Sequence, residues 1–507
     1  MARLRPTVFE RNVPARAVVD HALSGSRHKV FWQDDLGERT TYPTLSAPIR
    51  ADVVVVGGGY TGLWTALRAQ QRYPGARVVL VEAREVGWAA SGRNGGFCAA
   101  ALTRDGETGH GEARHSETNR DKTRRRDRPD EAEALARLGQ ENLADIGAAV
   151  DELGLDCQWE RTGVVDLAIE PHQIDWLQDA AEAAARAGVP HTYLDRAKMR
   201  AEIASPTYEA GLVRPEAAAL VHPARLTAEL ARVASELGVE IFEQTRVRRL
   251  TPPGRGAHGS AVLHTTSPAG EASVRADRVI LGTGVFPSLL RRYRRHTVPV
   301  YGYLLATEPL PAPLLSAIGW RGRQGLTDLG NRPHHYRLTA DGRIVFGGHD
   351  AVYHYGGRIS RPYENRPEAF RRLTEHLLTT FPQLEGTRLT HRWAGALDTP
   401  TGRCGLFGQA AGGRVQHAAG FAGLGASTTH FAAQVMLDRL DVLDGASGTE
   451  RTALRMVRRV PVPFPPEPAA TAAIRTTRWS LDRADHQGGR RNLLLRSMGT
   501  LGVSPDV

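Results

Sequence analysis

Apolar positions along the chain fall into two periods, and together they predict alternating strands and helices. Asp52-Val-Val-Val-Val-Gly57 is a short unbroken apolar run stopped by glycine, the pattern of a strand covered on both faces. Residues 61–71 then read as a helix, and Val78-Val-Leu-Val-Glu82 as a second buried strand that ends on an acid. Helical spacing returns at 134–153, 176–187, 223–237 and 368–381, while 162–169, 239–242, 245–250, 298–306 and 344–348 read as strands. Residues 252–272 carry turn residues around a short hairpin, and 412–440 give a last strand, a glycine loop and a long helix. Residues 1–30 are polar and read as an arm, with Phe31-Trp32 as its first anchor. Pro461 to Pro468 is proline-rich and reads as extended chain before a terminal helical hairpin. Residues 103–131 have almost no apolar residue and no period, so they read as a solvated loop, a mobile lid or a local shift of the reading frame.

The strand–glycine–helix–strand unit carries the first chemistry. Gly57 permits a tight turn, Gly59 lets backbone approach a pyrophosphate, and Gly62 lets helix and strand pack closely. Tyr60 and Thr61 open the helix, whose positive end would face the phosphates. Glu82, followed by Ala83, stands where a carboxylate accepts hydrogen bonds from a ribose hydroxyl. The unit binds a dinucleotide. Beyond it, Ser91, Gly92, Arg93, Asn94, Gly95 and Gly96 form a run of small and polar residues. Such a run lets backbone amides lie against a large flat ligand, where a nicotinamide unit would proceed to its next helix. An ordinary surface loop is the other reading of that run.

Composition changes the picture little. The formal charge of +10 and pI of about 9.8 suggest nucleic acid. Only Lys29, Lys122 and Lys198 stand among arginines spread over the whole length, without zinc spacing or an RNA-binding signature, so no nucleic-acid partner is expected. Cys98, Cys157 and Cys404 include no C-x-x-C pair and imply no disulfide framework. Apolar runs are strand-sized and the first residues lack an apolar core of the leader type, so a cytoplasmic protein with no membrane partner is expected.

Gly57-Gly-Gly-Tyr-Thr-Gly62 followed by Gly87-Trp-Ala-Ala-Ser-Gly-Arg-Asn-Gly-Gly96 resembles the FAD-binding start of the D-amino-acid oxidase/glycine oxidase superfamily. Within that superfamily the resemblance is to the γ-glutamylputrescine oxidase-like amine oxidases. Asp277 to Gly284 resembles the strand and turn that return to the cofactor, with Gly282, Thr283 and Gly284 at the turn. Val247 resembles the position whose backbone meets the adenine, and Gly423, Leu424 and Gly425 the loop beneath the flavin ring. The tail from Trp479 to Asp485 also fits the subgroup.

The resemblance implies an α/β fold: a discontinuous Rossmann-like FAD-binding domain (50–155, 215–290 and 394–445) and an inserted antiparallel-sheet substrate domain (156–214 and 291–393). An arm (1–49) and a C-terminal extension of helices (446–507) complete it. It further implies oxidation of an amine or amino-acid C–N bond by hydride transfer to FAD, with O2 or another acceptor taking the electrons. The imine product hydrolyses to an aldehyde or keto acid. Arg337, in a strand before a turn, is the candidate for a substrate carboxylate, because its guanidinium fork matches one. Tyr336, His335 and His349 are candidates for the pocket around it. Trp393 falls where some relatives carry a flavin-linking cysteine, and Cys404 comes too late, which implies non-covalent FAD. A flavoprotein without turnover and a flavin monooxygenase are the alternatives, the latter without a second glycine motif to hold NAD(P)H.

Overall fold

A computed structural model describes residues 4–104, 129–253, 259–501 and 503 of the chain. The four valines from Val53 to Val56 lie in the strand Ile49–Val56, which has a parallel neighbour on each side: Val78–Val81 and Gly270–Leu281. Glu240–Phe242 and Val415–Ala419 extend these two neighbours, also in parallel. Alternation then divides the valines. Val53 and Val55 face the helices Tyr60–Arg72, Pro223–Glu236 and Gly425–Leu443, in one core with Leu63, Leu67, Leu230 and Met436. Val54 and Val56 face the other way, in a second core with Val79, Leu263, Val274 and Leu281. Each valine so buried contributes roughly 1.5–3 kcal/mol, which is why the run contains no polar residue.

The expected short hairpin is part of something longer. Ala261–Ser267 pairs antiparallel with Gly270–Leu281, and this second strand continues without a break into the parallel sheet. Among the described residues the second sheet has nine strands, mostly antiparallel. Its centre is Thr297–Thr307, flanked by Leu389–Pro400 and Ile344–Tyr353, and beyond the latter lie His334–Leu338, Gly325–Asp328, Val164–Ala168, Ala210–Arg214 and Thr192–Asp195. Leu389–Pro400 crosses the division expected at residue 394 and is paired with Thr297–Thr307 as far as Pro400. The helix Pro367–Thr380 covers one face, burying Phe370, Leu373 and Leu377.

Segments near both ends of the chain pack against the larger sheet. The expected arm contains helices Val8–Arg11 and Arg16–Leu23, with Val8 and Val19 in the core of the larger sheet, and Arg27–His28 pairs along Leu389–Pro400. At the other end the helices Ala469–Asp485 and Leu493–Leu501 stand where the terminal hairpin is expected. Asp485 accepts from the backbone N–H and side-chain amide of Asn331 at 3.0 and 2.7 Å, which ties the tail to the larger sheet. Of the polar stretch 103–131, residues 105–128 lie outside the described residues, and the helix Pro129–Glu152 begins directly after them. No described helix is long and apolar enough to cross a membrane.

Candidate active site

A cavity of about 1610 Å³ opens between the two sheets. One end is the glycine turn. Gly57 has φ +111, and a Cβ there would stand 2.5 Å from the carbonyl oxygen of Gly282; a Cβ on Gly62 would stand 1.8 Å from the carbonyl oxygen of Gly57. The three backbones are therefore in contact, and the helix from Tyr60 starts at the cavity wall. Gly59 also lines the cavity. The space beside it is taken by Ser91 Oγ, which accepts the Tyr60 N–H at 2.9 Å and caps the helix.

Glu82 lines the same end, its carboxylate accepting N–H bonds from Gly58 at 2.6 Å and Arg84 at 2.8 Å. Burial raises its pKa, and these amides work against that rise. Ala83, Val247, Gly282, Thr283 and Gly284 complete this wall. Among the described residues the Thr283 hydroxyl is buried without a hydrogen-bond partner. A buried hydroxyl left unpaired costs about 1–3 kcal/mol, so it fits a site completed by a polar ligand. A glycine cradle, a helix N-terminus, an acid and an unpaired hydroxyl are the features a dinucleotide such as FAD requires.

The middle of the cavity is bounded by the turn after Trp88. Asn94 shapes it by donating to the carbonyls of Ala90 and Ser91 and accepting the Gly96 N–H at 2.8 Å. Arg93 reaches across to the larger sheet. It donates to Glu364 at 2.8 Å, to the carbonyls of Trp88 and Ala394, and lies over the Trp88 ring. Ser91, Arg93, Asn94 and Gly95 line the cavity, as do Gly423 and Gly425. Gly62, Gly92, Gly96 and Leu424 lie behind this surface, where Gly92 packs on Gly87 and Leu424 caps the following helix.

At the far end the candidate for a substrate carboxylate needs correction. Arg337 is 1% exposed and does not line the cavity. Its guanidinium donates to the carbonyl oxygens of Val221 at 2.6 Å, Gly96 at 3.3 Å and Leu338 at 3.3 Å, and lies over Trp32. Burial pushes its pKa down to about 10. The alternation of the strand puts Arg337 on the face of His335, but the chain at Gly96 and Val221 covers it. Tyr336 points to the opposite face, where its hydroxyl meets that of Tyr208 at 2.9 Å.

His335, His349 and Trp393 do line the cavity, and Trp393 donates to the Arg93 carbonyl at 2.9 Å. Burial lowers His335 to about 4 and holds His349 well below the ordinary imidazole range, so both are neutral near pH 7. His349 has a left-handed backbone, φ +58, directly after Gly348 at φ +109.

Several lining residues had no local signal in the sequence. Lys29 comes from the expected arm, ion-paired with Asp34, and Arg478 and Leu481 come from the C-terminal helix. Asp398 accepts the Gly420 N–H at 2.6 Å and so holds the glycine loop; burial raises its carboxyl to about 6. Cys404 lies off the cavity wall.

A parallel glycine-turn sheet joined through one cavity to a large, mostly antiparallel sheet fits a flavin-dependent oxidoreductase. The family of FAD dependent oxidoreductases that includes the D-amino-acid oxidases (DAO) matches residues 52–439, and the chain belongs to that family. Among curated relatives it is 29% identical over 407 residues to gamma-glutamylputrescine oxidoreductase of Escherichia coli, covering 79% of this chain and 85% of that one. It is 25% identical over 429 residues to the probable oxidoreductase OrdL of Haemophilus influenzae, covering 82% and 90%. Among solved structures, glycine oxidase from Geobacillus kaustophilus superimposes with a TM-score of 0.62 at 18% identity, over 81% of this chain and 99% of that one. The protein is thus an FAD-dependent enzyme.

Proposed function

We propose that this enzyme oxidises the C–N bond of a small amine or amino acid to an imine, which water then hydrolyses to an aldehyde or keto acid. The carrying observation is the single cavity that joins the glycine cradle to the face of the larger sheet bearing His335, His349 and Trp393. Relatives named for γ-glutamylputrescine and for glycine support the substrate class.

Bound FAD supplies the two-electron acceptor. The substrate loses a hydride from carbon and a proton from nitrogen, so the reacting amine must be neutral. Neutral His335 and His349 suit this, because neither imidazole donates a proton to the reacting amine near pH 7. Arg93, Asn94 and Ser91 hold the central turn rigid through the bonds above, and Asp398 does the same for the glycine loop. Walls fixed in this way supply orientation. Cys404 lies off the wall and Trp393 is on it, which supports FAD held without a link to cysteine. The acceptor that reoxidises the enzyme is O2 or a second protein or quinone.

The test is the visible spectrum of the FAD-loaded enzyme, held anaerobic while amines and amino acids are added. Bleaching by one compound supports the reading and names its substrate class. Readmitted air then separates an oxidase, whose colour returns at once, from a dehydrogenase. A fully loaded enzyme that no amine bleaches would favour a flavoprotein without turnover, and bleaching by NADPH alone a monooxygenase.

A further inference from the structure

We propose that His334, His349 and His376 form a binding site for one divalent transition-metal ion of the zinc type, at the substrate end of the cavity. The three residues come from three elements: the strand His334–Leu338, its neighbour Ile344–Tyr353 and the helix Pro367–Thr380. One ring nitrogen of each lies within 4.8 Å of the other two.

The hydrogen bonds set the donor atoms. Asp328, 2% exposed, accepts from His334 Nδ1 at 2.6 Å, so that nitrogen carries the proton and Nε2 keeps a lone pair. That lone pair faces His376 Nδ1 at 2.8 Å. A histidine whose far nitrogen is fixed by a buried carboxylate is the usual arrangement of a metal ligand, because the carboxylate orients the ring and raises its basicity. Phe9 stacks on the His376 ring at 4.1 Å and supplies the apolar shell.

His349 is the moving part. Its ring lies parallel to His334, 10° between planes and 5.2 Å between centroids, and makes no hydrogen bond among the described residues. Rotation about its side-chain torsions turns it in to meet the other two nitrogens. An ion there displaces the proton between His334 and His376, which passes to the outer nitrogen of His376. The nearby cations are already neutralised: Arg372 by both oxygens of Asp350 at 2.8 Å, and Arg332 by Asp482.

Three imidazoles select zinc, copper, nickel or cobalt over magnesium and calcium, which prefer oxygen. Three protein ligands leave a fourth position, and His349 puts that position at the cavity wall. A water or a carboxylate of the substrate would occupy it. Only this last role rests on the amine-oxidising reading; the ion site itself does not.

The experiment uses FAD-loaded enzyme treated with chelator, desalted, and titrated with Zn2+ by calorimetry. Co2+ is added in parallel to read absorption to the red of the flavin bands. One saturable equivalent of Zn2+, with tetrahedral Co2+ absorption, is expected. His349→Asn, at the partly exposed wall, should keep its flavin colour and lose at least about 100-fold in affinity, and Asp328→Asn about 10–100-fold. Absence of a saturable equivalent in the wild type overturns the proposal. So does unchanged affinity in His349→Asn, which would place the ion on surface histidines. Because metal uptake is read directly, a failure here is distinguishable from failure of the amine assay.

Discussion

Arg337→Met separates a structural arginine from a substrate-binding one. The guanidinium makes one short bond, to the Val221 carbonyl at 2.6 Å, and two long ones at 3.3 Å to Gly96 and Leu338. A bond from a charged donor contributes about 1.5–3 kcal/mol. Counting the short one at about 3 and the long ones at about 1 each, about 5 kcal/mol is lost on substitution. Against this stands the cost of keeping the charge buried. Its pKa falls from 12.5 to about 10, about 2.5 units, or about 3 kcal/mol that the variant recovers. Methionine keeps most of the packing against Trp32. The net expectation is a loss of about 2 kcal/mol.

Two readouts then divide the hypotheses. Thermal unfolding of the FAD-loaded variant should begin at lower temperature than wild type. The apparent affinity for a carboxylated amine should fall no further than that for its carboxylate-free analogue, because no part of Arg337 reaches the cavity wall. A variant of unchanged stability that loses about tenfold or more in affinity for the carboxylated compound alone would refute the reasoning. Arg337 would then face the substrate, and the cover by Gly96 and Val221 would have to open in the working enzyme.

Other substitutions test the cradle and the buried titratable groups. Gly62→Ala forces a methyl group to within 1.8 Å of the Gly57 carbonyl oxygen, so FAD affinity should fall at least about 100-fold, about 2.7 kcal/mol; a purified variant with full flavin content contradicts this. His417 and His430 are held at about 4 and about 3, below the 6.5 of an unfolded histidine. The unfolded chain therefore binds more protons between those values, and stability should rise with pH up to about 6.5. Asp398 has the opposite sign: with its pKa raised from 3.8 to about 6, its contribution is full below about 4 and is lost as pH rises through 6. Asp398→Asn should thus steepen the rise in stability between pH 4 and 6, measured as denaturant midpoint against pH; a flatter profile would overturn the assignment.

The nucleotide end was legible because its requirements are local and concern the backbone. Only glycine tolerates the Gly57 and Gly62 contacts, and the spacing to Glu82 follows from one helix and one strand. The strand Gly270–Leu281 was harder to read. Its first half alternates Ala272, Val274 and Ala276 with exposed polar residues, while Val279 to Leu281 is buried throughout. One strand therefore reads as two, because its surroundings change from a half-open hairpin to a covered parallel sheet. The place of Arg337 is hard to read for a related reason. Alternation places a side chain on a face, but what covers that face comes from Gly96 and Val221, far away in the sequence.

The same physics explains why the substrate end resists family-level reading. The family match runs from residue 52 to 439, yet Lys29 lies before it, and Arg478 and Leu481 lie after it. All three line the cavity. Lys29 is held by Asp34, and the helix bearing Arg478 is fixed by Asp485 on Asn331 and Asp482 on Arg332. Backbone-built recognition of the cofactor is inherited with the sheet, whereas this part of the wall comes from segments outside the match. Residues that set substrate preference are accordingly to be sought at Lys29, Arg478 and Leu481 rather than in the shared motifs. Exchange of Arg478 for methionine should change which amines bleach the flavin and leave FAD content unaltered. An unaltered substrate panel would return specificity to the shared core.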